Sequence, residues 1–351
     1  MSKEKMTVAS LDAKAIKTEK IPVSFGDMAY SLLATGDIYW VKVNQQLVKI
    51  FYAGDYLLPD IIEKFKKGNR VLVIDQIANV GLINSGITEW EKFKKADNDL
   101  EIFKHRKSIL FWFSQVYWSG EKRGSLLDLA ILGQKEFYSF APEITEKLKK
   151  IGLDNLKRSF LYSALAVYIA LAMGHTDYRF LKDVYNVCFL LDYAFNDDSI
   201  SYNISQAMEM ERKKGGEGQR YLFQNENPTW EFQAFTEHPE RGIQNALEEC
   251  LTYFSNPDVI QVILRQHERM DGSGFPTQTN ESELSDLENI IIALNHLVPY
   301  QHLDYQHGDG QSYLRNSLMQ AGEGQEEGNF WGERLRGVLG RIFSQLGEPN
   351  G

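Results

Sequence analysis

The sequence predicts an α+β protein: a small α/β module at its N-terminal end, followed by a mostly α-helical bundle domain. Three observations carry this reading. Asp37–Val43 (DIYWVKV) and Gln46–Tyr52 (QLVKIFY) alternate apolar and polar residues about Asn44-Gln45, the pattern of a β-hairpin. Leu58–Lys67 (LPDIIEKFKK) places Ile61, Ile62 and Phe65 on one helical side, stops at Gly68-Asn69, and leads into the short apolar strand Arg70–Asp75 (RVLVID). Beyond that point the apolar residues recur mainly at helical spacing.

The helical elements are expected in this order. Gly86–Lys95 carries Trp90 and Phe93. Asp97–Gly120 carries a stripe of Leu100, Phe103, Ile109, Phe113 and Val116. Ser125–Leu132, Ala141–Ile151 and Leu156–Met173 follow, and Asp177–Phe195 reads as a core helix because its second half is apolar. After a Gly- and Asn-rich loop at 213–229 come Pro239–Phe254, Asp258–His267, Ser282–His296 and Gln311–Met319. The linker Ala321–Gly328 then precedes a terminal helix, Asn329–Leu346, with Trp331, Leu335, Val338, Ile342 and Leu346 along one face. A helix of that length is marginal in water alone and must bury its stripe, by default on its own domain or a sister chain, otherwise on a partner or a membrane surface. The expected organisation is an arm (1–20), the α/β module (21–80), a helical connector (81–150), a helical domain (151–310) and a C-terminal linker with its helix (311–351).

Composition narrows the function. With 351 residues, 43% hydrophobic and 25% charged, the chain has an ordinary globular mixture and needs no crosslinks to bury a core. A formal charge of −10 argues against binding to polymeric nucleic acid. Two cysteines, Cys188 and Cys250, suit a reducing compartment and cannot build a zinc ribbon. The N-terminus lacks a secretory pattern, and the apolar stretches Ser108–Trp118 and Ala164–Met173 are too short to cross a bilayer. A cytoplasmic protein without a transmembrane segment is the expectation.

The most informative string is Gln266–Pro276, QHERMDGSGFP. It begins at a helix end with His267 and Glu268 and breaks through Gly272 and Gly274, which permit positive φ, into Phe275-Pro276. Read from the residues alone, it is either a rigid loop presenting an imidazole and a carboxylate or a solvated surface turn. The string resembles the HHExxDGxGYP signature of the HD-GYP family, the bacterial cyclic di-GMP phosphodiesterases of the HD hydrolase superfamily. Glu268, Arg269, Asp271, Gly272, Ser273, Gly274 and Pro276 match, and Phe275 replaces Tyr. His238-Pro239 with Gly242 is similar to the family's helix start upstream of the signature. The resemblance spans roughly residues 150–305 and implies an HD-GYP-like helical domain.

The resemblance also implies a metal centre, because phosphodiester cleavage needs a hydroxide at neutral pH and cations on the developing charge. Imidazole and carboxylate ligands suit iron or manganese. Several implied ligand positions are altered here. The His-Asp doublet falls on Leu191-Asp192, with Ala194 and Phe195 where Gly and Lys usually follow. An earlier His, implied about thirty residues before the doublet, is absent, since no histidine lies between His105 and His175. The doublet opening the signature is Gln266-His267, and the last Asp falls on Asn295. Asp192, His238, His267 and Glu268 remain as residual metal-site candidates. The first three have structural alternatives: Asp192 capping a helix or pairing with a buried Arg, His238 orienting a helix start, His267 bracing the loop. Further on, His296, His302 and His307 lie near Asp304 and Asp309 without metal-motif spacing. Lys213, Lys214 and Arg220 flank Gly215, Gly216 and Gly218 in a loop able to contact phosphate or simply to lie in solvent.

The resulting expectation is a degenerate HD-GYP-like protein without catalysis, a pseudoenzyme acting as a binding or scaffold module in bacterial cyclic di-GMP signalling. No cofactor is expected, the alternative being one weakly bound iron or manganese ion. The implied partner is a protein such as a GGDEF-type diguanylate cyclase, with cyclic di-GMP and a second copy of the chain as further candidates. The alternatives are a phosphodiesterase with a reduced metal site built from Asp192, His238 and His267, and a cyclic dinucleotide receptor that does not hydrolyse its ligand.

Overall fold

The computed structural model describes residues 20–29, 32–118, 126–196, 230–270, 272, 274–298 and 332–346. The chain divides into two compact units, Met1–Ala53 with Leu57–Ile77, and Gly54–Tyr56 with Ala78–Gly351.

In the first unit four strands, β1 (Lys20–Pro22), β2 (Gly36–Val41), β3 (Leu47–Phe51) and β4 (Val71–Gln76), form an antiparallel sheet in the order β1-β4-β2-β3. Helices α1 (Phe25–Ala29) and α2 (Pro59–Lys67) belong to the same unit. The hairpin turns where the sequence places it. Gln45 takes positive φ (62°), the Lys42 amide donates to Gln46 O, and Asn44 Oδ1 accepts from the Gln46 amide. Period-two patterning sends Ile38, Leu72 and Ile74 into a core with Phe51, Leu57 and Ile62. On the sheet, Asp37 and Asp75 are cross-strand partners, and each carboxylate is bound by a lysine, Lys49 and Lys20 respectively. Lys20, expected in the arm, is the first residue of β1.

The second unit is helical: α3 (Val80–Lys95), α4 (Asp99–Trp118), α5 (Leu126–Phe137), α6 (Pro142–Ile151), α7 (Leu153–Met173), α8 (Tyr178–Phe189), α9 (Trp230–Glu249), α10 (Asp286–Leu297) and α11 (Glu333–Leu346). Together with the first unit's sheet this is the α+β class expected from the sequence. Helix α7 is the hub, packing against α4, α5, α6, α8, α10 and α11. It ends at Gly174, in the left-handed conformation (φ 109°), and the Arg106 guanidinium donates to Leu171 O and Ala172 O, both at 2.8 Å.

Several expectations are corrected. Helix α3 starts six residues earlier than Gly86, because Asn79 Oδ1 caps the Leu82 amide at 3.0 Å. The α4 stripe mixes two faces: Leu100 and Phe103 are exposed and Ile109 is buried, since nine residues is two and a half helical turns. Helix α8 ends at Phe189, and residues 190–196 form a turn and a 3₁₀ segment, which places Asp192 in a turn. Pro257–Arg265 is 3₁₀ rather than α-helix. His238-Pro239 lies inside α9 and not at its start. Asn155–Met173 of α7 is long and apolar enough to cross a membrane, contrary to the sequence reading, but 83% of that window is buried within the fold, as in a core helix. The terminal helix buries Leu335, Val338 and Leu339 and packs on α4 and α7 of its own unit. The 213–229 loop, the Gln311–Met319 helix, the Ala321–Gly328 linker, His302, Asp304, His307 and Asp309 lie outside the described residues.

Candidate functional site

The sequence-predicted residues divide between a buried polar cluster and the loop that follows it. The cluster draws on the turn after α8 (Leu191, Asp192), the middle of α9 (His238), the end of the 3₁₀ segment (Gln266, His267) and α10 (Asn295). All six are buried. Gly242, one turn after His238, lets α9 come close to this turn: a Cβ there would lie 3.3 Å from Ile263 and 3.9 Å from Leu191 O.

The organising side chain is Arg158 on α7, 2% exposed. Its Nε donates to Val298 O (3.1 Å), one terminal nitrogen faces Asp192 Oδ2 (3.4 Å), and the other donates to Asn295 Oδ1 (2.9 Å). Its guanidinium also lies over the Tyr162 ring at 4.9 Å. Asn295 relays the network, because its Nδ2 donates to Gln266 O at 2.6 Å. Arg158 precedes Asp192 by 34 residues, about where the resemblance implies the missing histidine. The sequence reading allowed Asp192 a buried Arg partner but did not find Arg158. A guanidinium at the border between the polar first turns and the apolar remainder of α7 was the available signal.

The histidines are held neutral. His238 Nδ1 sits 2.6 Å from Phe235 O, which fixes the proton on that nitrogen and leaves Nε2 as the acceptor. That lone pair faces both Gln266 Nε2 and His267 Nε2 at 3.2 Å. The second proton of the Gln266 amide goes to Leu191 O at 2.9 Å. Burial drives the His238 pKa down to about 3, and burial with the neighbouring His238 lowers that of His267 well below the ordinary imidazole range. Aromatic rings close the cluster. Phe195, where the resemblance has a lysine, lies against His238 at 4.4 Å, and Phe275 stacks on His267 at 4.9 Å and 7°. Burial pushes the Asp192 carboxyl up, and Arg158 opposes that shift.

Glu268 faces the loop that follows it. Its Oε1 accepts from the Thr277 amide (2.6 Å) and hydroxyl (2.7 Å), and its Oε2 accepts from the Thr279 amide (2.9 Å). The carboxylate therefore ties the loop to its own start. Gly272 has φ 74° and donates to Arg269 O. Gly274 is required by close approach, since a Cβ would stand 2.4 Å from Arg269 N and from Glu268 Cα. The Phe275 amide donates to His267 O, the Phe275-Pro276 bond is cis, and Arg269 is buried. Pro276, Thr277 and Gln278 form the exposed tip. Asp271 and Ser273 lie outside the described residues.

These residues do not fit a paired-metal centre. The His238 lone pair is shared by two nitrogen donors, the Asp192 charge is opposed by a fixed guanidinium, and Glu268 is committed to backbone amides. Among the described residues no group of three or more His, Cys, Asp or Glu side chains is placed to hold a metal. The arrangement braces a loop, its imidazoles and carboxylates being engaged by protein groups.

No family model matches the chain, and no curated protein matches it. Among solved structures the chain is similar to an HDG"Y"P protein from Bdellovibrio bacteriovorus, at 14% identity with a TM-score of 0.38, covering 93% of this chain and 100% of that one. A likeness that loose carries no argument about the site.

Proposed function

We propose that this chain is an HD-GYP-like protein without phosphodiesterase activity, acting as a binding or scaffold module in cyclic di-GMP signalling. The observation that carries the reading is Arg158. It brings a permanent positive charge to Asp192 and Asn295, two positions the sequence resemblance assigns to metal ligands. A cation supplied by a side chain opposes the Asp192 charge without a metal, although Asp192 Oδ1 is buried without a hydrogen-bond partner among the described residues. Glu268, Gly274 and the Phe275–His267 stack hold the described part of this loop, so the exposed Pro276, Thr277 and Gln278 can serve as a recognition element. A protein such as a GGDEF-type diguanylate cyclase is the partner this reading assigns to it.

Metal analysis of the purified full-length chain, run beside a cyclic di-GMP hydrolysis assay, tests the reading. The expected result is substoichiometric metal and no linear dinucleotide. Stoichiometric iron or manganese with turnover would overturn it. One ion per chain that disappears in a folded His267→Ala variant would point instead to a reduced one-metal hydrolase.

A further inference from the structure

The terminal helix α11 borrows its N-terminal cap from another part of the chain. Gly332, whose carbonyl accepts the first helical bond from the Arg336 amide, has no side chain to serve the free amides of the first turn. Glu281, 52 positions before Glu333, does so instead: its Oε1 accepts from the Glu333 amide at 2.7 Å. A Cβ on Gly332 would stand 2.4 Å from that same oxygen. Beside this cap Arg334 donates to Asp286 Oδ1 at 2.7 Å, and the other Asp286 oxygen faces His175 Nε2 at 3.2 Å.

Glu281 also ends the loop that Glu268 braces. Its amide donates to Met270 O at 3.2 Å, and Met270 packs with Leu284 and Ile292. Two residues earlier, the Thr279 amide is held by Glu268. One residue therefore closes the loop through its backbone and caps α11 through its side chain. The docking it caps is modest. Leu335, Val338 and Leu339 are buried, but Gly337 and Gly340 weaken the helix. A cleft of about 510 Å³ lined by Glu281, Glu333, Arg334 and Gly337 opens the cap to solvent.

We propose that α11 is a strap that sets the order of the loop: docked, it fixes Glu281 and the residues before it, and detached, it releases them. The coupling is reciprocal, so a partner that fixes the loop tip also seats the helix. It is no larger than the contacts that carry it, a cap and an exposed ion pair. It does not depend on what the loop tip recognises, so its failure would leave the proposed function standing.

Hydrogen exchange on the full-length chain tests it. Leu335→Ser, placed on α11 and outside the loop, should raise exchange in residues 333–339 and, by about fivefold, in residues 277–281, with α5 and α8 unchanged. Val338→Ser supplies the same reading should Leu335→Ser not fold. Glu281→Ala removes the cap and should loosen both segments, whereas Glu283→Ala, exposed in the same 3₁₀ turn, should loosen neither. A loop unchanged when α11 is loosened, an α11 indifferent to Glu281→Ala, or equal loosening by Glu283→Ala would each overturn the proposal.

Discussion

Two carboxylate–cation arrangements in this molecule use buried carboxylates and differ in how deeply the cation is buried. On the sheet, Lys49 binds Asp37 with side chains 32% and 11% exposed. In the helical unit, Arg158 faces Asp192 with side chains 3% and 8% exposed. In the first pair the carboxylate is nearly as buried as Asp192, but the ammonium is about a third exposed and Asp37 also accepts from the Ala53 amide and the Tyr39 hydroxyl. The second has given up its water and depends on Asn295 and Val298 O to satisfy the guanidinium. Desolvation of the cation therefore sets what each pair costs to dismantle: the more of both partners is buried, the more a single truncation leaves stranded.

The largest expected effect follows from that contrast. Arg158→Ala leaves a buried carboxylate and a buried amide without their partner and should cost about 3–5 kcal/mol in urea unfolding. Lys49→Ala should cost less, about 1–2 kcal/mol by the same measurement, because the Ala53 amide still serves Asp37. The comparison is sharpened by Arg158→Met with Asp192→Leu, which removes both charges together and should lie much closer to the wild type than Arg158→Ala alone. Equal losses for Arg158→Ala and Lys49→Ala would break the comparison.

The next effect concerns the loop braced by the buried cluster. Gly274→Ala forces a Cβ to within 2.4 Å of backbone atoms that cannot rotate away. It should cost about 2–3 kcal/mol, near the upper end for overpacking, with hydrogen exchange rising first in residues 268–279. A variant as stable and as protected as the wild type would mean that the loop has room the structure does not give it.

A smaller effect should appear on acidification. His238 titrates near 6.5 when unfolded and at about 3 when folded, so the unfolded chain binds more protons throughout that interval. Its contribution is fully present above the unfolded value and is lost as pH falls toward the folded one. Between pH 7 and pH 5 the loss should be about 2 kcal/mol, and His267, shifted the same way, adds to it. Denaturant melts across that range check this. His238→Gln should flatten the profile, and a profile as steep as that of the wild type would assign the acid sensitivity elsewhere.

Legibility in the sequence followed the range of the forces involved. The hairpin at residues 37–52, α2 and β4 were readable because alternation, turn residues and a stop at Gly68-Asn69 act over a few neighbours. The start of α3 was misplaced because its cap, Asn79, is a single hydrogen bond rather than a pattern. The α4 stripe was misread because a list of apolar residues does not state which half-turn each occupies. In the site, Gln266, His267 and Glu268 were readable as residues of interest, but their roles were not. Whether Glu268 faces a metal or a pair of threonine amides depends on where the chain goes after Pro276.

By itself, then, the sequence determined the α+β class, the helical character of the second unit and the identity of the atoms available near residues 191, 238 and 266–276. It did so because periodicity and residue chemistry are local properties. Only the tertiary structure decided that Arg158 on α7 meets Asp192 and Asn295, and that Gln266 and His267 both spend a donor on His238. Those contacts join residues separated by 28 to 137 positions. They arise when helices pack and water leaves, and burial then fixes which groups stay charged and which lone pairs stay open.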